Sequence, residues 1–179
     1  SVCQGYGYVR PDWTLPSRHA RSGRIEEMSL ASAAFGDTRR VYAYVPARFR
    51  PSRRYPLLIV HDGEDYVRFA ALKEVLDNLI DRLEIPPMIV ALTQTANRLG
   101  EYAGDERHAR FIVEELLPLM RTRYPLADSP ASRGLMGASF GGVASLYTAW
   151  RYPDTFGRLL LQSGSFAFSH LGEHRRGPA

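Results

Sequence analysis

Residues 133–142 read Arg-Gly-Leu-Met-Gly-Ala-Ser-Phe-Gly-Gly, and no other stretch of the chain constrains its fold as strongly. Gly137-Ala-Ser139-Phe-Gly141 fits the pattern G-x-S-x-G, with Gly142 directly behind it. The pattern marks a strand that turns sharply into a helix with a strained serine at the tip. The positions two residues either side must be small for that turn to close. Leu135 and Met136 supply an apolar strand end before it, and Val143-Ala-Ser-Leu-Tyr-Thr-Ala-Trp150 supplies a helix after it. By pattern alone this is a common small-residue turn. The strand–turn–helix setting is what gives it weight.

The rest of the chain alternates strand and helix. Arg24–Leu30 and Arg39–Val45 read as a hairpin, with Gly36-Asp37 in the connection. Tyr55–Val60, Pro86–Leu92, Arg133–Gly137 and Phe156–Gln162 are short apolar runs, which suit parallel strands buried on both faces. Tyr66–Leu83 reads as one amphipathic helix, with Phe69, Leu72, Leu76, Leu79, Ile80 and Leu83 at helical spacing. Asp105–Arg123 reads as a second, capped by Asp105 and kinked or shortened at Pro118. A third runs from the elbow to Tyr152-Pro153. This order implies an α/β fold: a doubly wound, mostly parallel sheet with an antiparallel leading hairpin. Residues 1–23, rich in Gly, Pro, Tyr and Arg without periodicity, read as an arm or an interdomain linker.

Composition narrows the function classes. The chain has 179 residues, 45% hydrophobic and 23% charged, which is enough for one domain with a core. The formal net charge is +4, carried almost entirely by arginine, since Lys73 is the only lysine. The arginines are scattered and do not form a basic stripe with interleaved aromatics, so nucleic acid is not expected as a partner. A mildly positive face suits an anionic small molecule. No apolar run could span a bilayer, and Ser1-Val-Cys-Gln-Gly-Tyr6 lacks the start of a signal peptide. The expectation is a cytoplasmic protein with no membrane partner. The single cysteine, Cys3, rules out an internal disulfide and gives no metal-site spacing. No cofactor and no metal are expected.

The order of elements around Gly-Ala-Ser-Phe-Gly-Gly resembles the α/β-hydrolases. It resembles more closely the esterase group that includes the enterochelin (ferric-siderophore) esterases. Tyr55-Pro-Leu-Leu-Ile-Val-His-Asp-Gly63 is similar to that group's Y-P-strand-D-G segment, which leads into an oxyanion loop. Asn97-Arg98-Leu-Gly-Glu101-Tyr102 is similar to its R-x-x-E loop, and Leu160-Leu-Gln-Ser-Gly-Ser-Phe166 to its strand ending S-Q-S-G-S-aromatic. Glu114-Glu-Leu-Leu-Pro118 adds a weaker helix match. The resemblance covers roughly residues 24–168. It implies hydrolysis of a carboxylic ester through an acyl-enzyme, with a siderophore-type or other anionic ester as substrate. It also implies that Arg98 faces the substrate and is held by Glu101. Feruloyl and acetylxylan esterases and S-formylglutathione hydrolases are related branches.

Serine ester hydrolysis needs a nucleophile, a base and donors for the developing oxyanion. Ser139 is the expected nucleophile. The backbone N–H of Phe140 is one expected donor, and Gly63 or Glu64 supplies the second. Gly63 is read as letting the backbone approach the substrate. Glu64 and Asp65 are read as capping the following helix, because negative charge opposes an oxyanion. In this fold the acid and the histidine follow the serine. After Ser139 the chain offers only Asp154, Glu173, His170 and His174, all placed too early for that role. His19, His61 and His108 are read as surface or supporting residues. Residues 24–179 are therefore expected to be the N-terminal part of a hydrolase domain whose acid and histidine lie beyond this sequence. The last strand would leave an open sheet edge suited to association. A non-catalytic binding module on the same fold, or a peptidase or acyltransferase, is the competing reading.

Overall fold

The computed structural model describes residues 5–95 and 97–166. A six-stranded sheet in the order β1-β2-β4-β3-β5-β6 organises them. β1 (Arg24–Ser32) and β2 (Asp37–Val45) form the leading hairpin, with Arg24 opposite Val45 and Ser32 opposite Asp37. β2 runs antiparallel to β4 (Ile89–Thr93). β3 (Leu57–Val60), β4, β5 (Arg133–Ala138) and β6 (Arg158–Gln162) are mutually parallel.

The apolar runs behave as both-face burial requires, because successive side chains point to opposite faces. Val41, Ala43 and Val45, with Leu57, Ile59, Ile89, Ala91 and Leu135, pack on one face with Phe111, Ile112, Leu116 and Met120. Tyr44, Val60, Val90, Leu92 and Met136 pack on the other with Leu72 and Leu76. β6 is the exception: Leu159 and Leu160 stay 39% and 48% exposed at the sheet edge.

Two helical expectations are corrected. The first helix does not run unbroken from Tyr66 to Leu83. It starts earlier and is split into α1 (Gly63–Ala70) and α2 (Leu72–Asp81) by Ala71 in left-handed conformation, φ 51°. The break turns α1 away from the register of α2. Phe69 is consequently 61% exposed, and Leu83, beyond the end of α2 at φ 62°, is 87% exposed. Asp77 and Asn78 of α2 are buried and hold the arm instead: Asn78 donates to the carbonyls of Trp13 and Leu15, and Asp77 accepts from the Gly23 amide.

The second helix is three segments: α4 (Glu106–Arg110), a π-helical stretch Phe111–Leu116, and α5 (Leu117–Arg123). Asp105 caps it as expected, accepting from the Arg107 amide at 2.9 Å. Pro118 lies at the start of α5, and the wider π-helical turns come just before it, where its missing N–H interrupts the regular ladder. The short α3 (Arg98–Tyr102) follows β4, and α6 (Phe140–Arg151) follows β5. Among the described residues no helix is long and apolar enough to cross a membrane.

Candidate active site

A parallel sheet gathers chemistry at the C-terminal ends of its strands, above all where the chain reverses its winding direction. Here β3 has β4 on one side and β5 on the other, so the ends of β3 and β5 lie side by side. Asp62 and Gly63 follow β3, and Ser139 follows β5.

Ser139 is the strained tip that the motif demands, with φ 77° and ψ −108°. Such a backbone costs a non-glycine residue about 1–3 kcal/mol. Gly137 is obligatory beneath it, because a side chain there would coincide with the backbone of Gly141. The Ser139 amide donates to the Gln162 carbonyl at 3.0 Å, and its carbonyl accepts from the Ser165 amide at 3.2 Å. Ser139 Oγ lies 2.9 Å from Ser165 Oγ. Phe140 is the first helical residue of α6, a position whose N–H has no acceptor within the helix.

Gly63 opens α1 in the same way, one residue after Asp62 at φ 56°. Its lack of a side chain serves packing, since a Cβ would collide with Leu92. Glu64 and Asp65 are exposed in the first turn of α1, where negative charge suits the helix dipole, but neither is the cap. Asp62 holds the cap position and makes no side-chain capping bond. Tyr66, one turn on, donates its hydroxyl to Gln162 Oε1 and so links α1 to the end of β6. Burial, then the Asp62 charge, push the Tyr66 phenol up.

Arg98 and Glu101 share a helix but not a bond. Arg98 grips Asp62, Nε to Oδ1 at 2.9 Å and Nη2 to Oδ2 at 2.8 Å, and is 39% exposed. Glu101 is 7% exposed and accepts from Arg39 Nη1 at 3.0 and 2.9 Å. The expected Arg98–Glu101 pairing is therefore not formed. The reason is topological: β2 and β3 flank β4, and each brings a charged partner to α3. Burial pushes the Glu101 carboxyl up, but His108, Thr95 and Arg39 outweigh it and hold it below the usual range.

His61 and His108 are not surface residues. They are buried behind the elbow, rings 5.1 Å apart, with Tyr102 stacked edge-on against both. Ser145 gives its hydroxyl hydrogen to the Gly141 carbonyl, so His61 Nδ1–H donates toward the Met136 carbonyl and Ser145 Oγ. Burial first and His108 second depress His61 to about 3. It is a neutral supporting group. His19 lies exposed in the arm, and His170, Glu173 and His174 fall outside the described residues. Among the described residues no cluster of three metal-ligating side chains forms. The sequence reading missed Asp62, Tyr66 and Ser165. The Asp-Gly pair after an apolar run and the Ser-Gly-Ser after another were the available signals.

A family model described as "Putative esterase" matches residues 32–170. The iron(III) enterobactin esterase of Escherichia coli O6:H1 is 28% identical over 172 residues, which is 94% of this chain and 42% of that protein. The structure of the enterobactin esterase from Shigella flexneri in the presence of 2,3-di-hydroxy-N-benzoyl-serine is similar at a TM-score of 0.79 and 28% identity. That match covers 92% of this chain and 42% of the other. A ferulic acid esterase from Anaeromyces mucronatus, 17% identical with a TM-score of 0.71, covering 83% of this chain and 62% of the other, shares the fold. The chain thus spans less than half the length of the enterobactin esterases it matches.

Proposed function

The chain belongs to this esterase family, and we propose that it carries the nucleophile side of a serine carboxylic-ester hydrolase. The observation that supports this most directly is Ser139, held at a strained φ of 77° between β5 and α6. A binding surface has no use for that strain. In this reading Ser139 Oγ, giving its proton to a base, attacks the ester carbonyl; the ester C–O bond breaks, the alcohol leaves with that proton, and an acyl-enzyme remains for water to hydrolyse. The negative charge that develops on the carbonyl oxygen is met by the N–H of Phe140 and by the N–H of Gly63 or Glu64. The starts of α6 and α1, which follow the adjacent strands β5 and β3, favour negative charge there.

No described histidine hydrogen-bonds Ser139: His61 and His108 are buried behind the elbow, and His19 lies exposed in the arm. The base and its acid partner are therefore assigned to chain outside the described residues. The substrate class is an ester of an anionic, catecholate-type siderophore. The relatives' names support it, and so does Arg98, whose fork is fixed on one edge by Asp62 while the side chain stays partly open. An arginine prearranged in this way suits a catecholate or carboxylate.

The test is labelling of the complete protein with a fluorophosphonate probe, with the adduct mapped by mass spectrometry. The adduct is expected on Ser139 and absent from Ser139→Ala. Equal labelling of the variant, or an adduct on another serine, would reject the assignment.

A further inference from the structure

We propose that Asp62 is a positioning residue that fixes the loop after β3 against the elbow and aims Arg98; this rests on the esterase reading above. Its backbone comes first. Asp62 is a non-glycine residue at φ 56° and ψ 40°. Its carbonyl accepts from the Tyr66 amide at 3.1 Å and so starts α1, while its own amide donates to the Tyr102 hydroxyl at 3.3 Å. That turn is what leaves the Gly63 N–H at the open start of a helix.

The carboxylate is the second observation. An aspartate before a helix ordinarily accepts from an amide of the first turn. The Asp62 side chain instead gives both oxygens to Arg98, and it is only 7% exposed. Oδ2 stands 3.5 Å from the point where a side chain on Gly141 would begin, and His61 Cβ stands 3.3 Å from it. Asp62 therefore rests on the first turn of α6, two residues beyond Ser139. The guanidinium of Arg98 also lies 5.7 Å from the centre of the buried Tyr102 ring. One carboxylate thus touches the elbow helix, sets the turn that begins α1 and orients the arginine.

The charge balance follows. An unpaired carboxylate beside the two helix starts would oppose any oxyanion formed there, and burying it unpaired is costly. The bidentate pair with Arg98 cancels that charge. Arg98 should therefore matter to the chemical step even for a neutral ester that it has no reason to bind, and Asp62 should matter through the turn it sets and the arginine it holds.

Steady-state kinetics on the complete protein test this. Asp62→Asn keeps the size and tolerates a left-handed backbone, but its amide nitrogen cannot accept from Arg98, so the bidentate pair is lost. Arg98→Lys keeps the charge and removes the fork. Asp62→Gly relaxes the turn and unties Arg98, which guards against a variant that fails to fold. Each is assayed on a neutral p-nitrophenyl ester and on a catecholate ester, with kcat normalised to fluorophosphonate-titrated sites and thermal melting run alongside. All three should lower kcat on the neutral ester by about tenfold to a hundredfold, less than the outright loss of an oxyanion donor, with KM little changed. An unchanged kcat per titrated site would overturn the proposal, whatever happens to the melting temperature. So would a loss confined to KM for the catecholate ester, which would make Arg98 a plain substrate contact. Activity that survives Ser139→Ala would instead reject the esterase reading itself.

Discussion

Arg39 reaches both oxygens of Glu101 with one guanidinium nitrogen, at 3.0 and 2.9 Å, across a separation of 62 residues. Both side chains are largely buried, 14% and 9% exposed. Arg39 also lies over the Phe35 ring at 3.8 Å. The pair ties the leading hairpin to α3, and α3 carries Arg98. Removing one partner of such a pair strands the other charge and costs about 3–5 kcal/mol. Arg39→Met should therefore lower the unfolding free energy by roughly that amount in urea titrations. The double variant Arg39→Met/Glu101→Leu should recover much of the loss, because neither charge is then orphaned. A double variant no more stable than the single one would show that the pair is not coupled.

His61 makes stability depend on pH. Burial and His108 bring it from an ordinary 6.5 down to about 3, with the Met136 carbonyl offsetting part of the shift. Between those values the unfolded chain holds a proton at this site that the folded chain does not. Stability therefore rises with pH across that window, and it falls as pH drops from 6.5 toward 3. One such proton gives at most about 1.4 kcal/mol per pH unit. Urea midpoints measured from about pH 7 down to about pH 5 avoid most carboxylate titration. They should fall with pH for the parent chain and fall less for His61→Gln. Parallel slopes for the two would clear His61 of this role.

Much of this framework was legible from residues alone. Leu57–Val60 and residues 89–92 and 134–138 carry no polar side chain because both faces of the sheet are covered, so their strands stood out. Ser139 was legible because its strain forces small neighbours in sequence. The break at Ala71 was not, since two successive alanines carry no signal for a left-handed turn. Arg98 and Glu101 were paired only through the resemblance of their segment to an R-x-x-E loop. Their true partners, Asp62 and Arg39, are set by the strand order β2-β4-β3, which periodicity does not encode. The burial of His61 and His108 was half visible: one ends an apolar run, and the other sits at helical spacing from Phe111 and Ile112.

The strain at Ser139 predicts opposite effects on stability and function. Glycine adopts a positive φ without a side-chain penalty. Ser139→Gly should raise the unfolding free energy by about 1 kcal/mol while abolishing fluorophosphonate labelling. Ser139→Ala should abolish labelling without the full gain, because alanine keeps the Cβ. Thermal melts of the three proteins read this directly. A glycine variant no more stable than the alanine variant would mean that the backbone at the elbow is relaxed.

The sheet edge at β6 leads to the last expectation. β6 pairs with β5 on one side, and among the described residues no strand pairs with its other side. Leu159 and Leu160 are exposed there, beside an open trough of about 770 Å³ lined by Leu58, Ile85, Met88 and Leu135. An uncovered strand edge next to an apolar surface is a template for pairing with another chain. The polypeptide of residues 1–179, prepared alone, should therefore associate as its concentration rises, as read by light scattering coupled to size-exclusion chromatography. Leu160→Lys places a charge on the edge and should shift the equilibrium toward the monomer without changing the far-ultraviolet circular dichroism. If the parent polypeptide stays monomeric across the concentration series, or if Leu160→Lys leaves its association unchanged, β6 is not the contact.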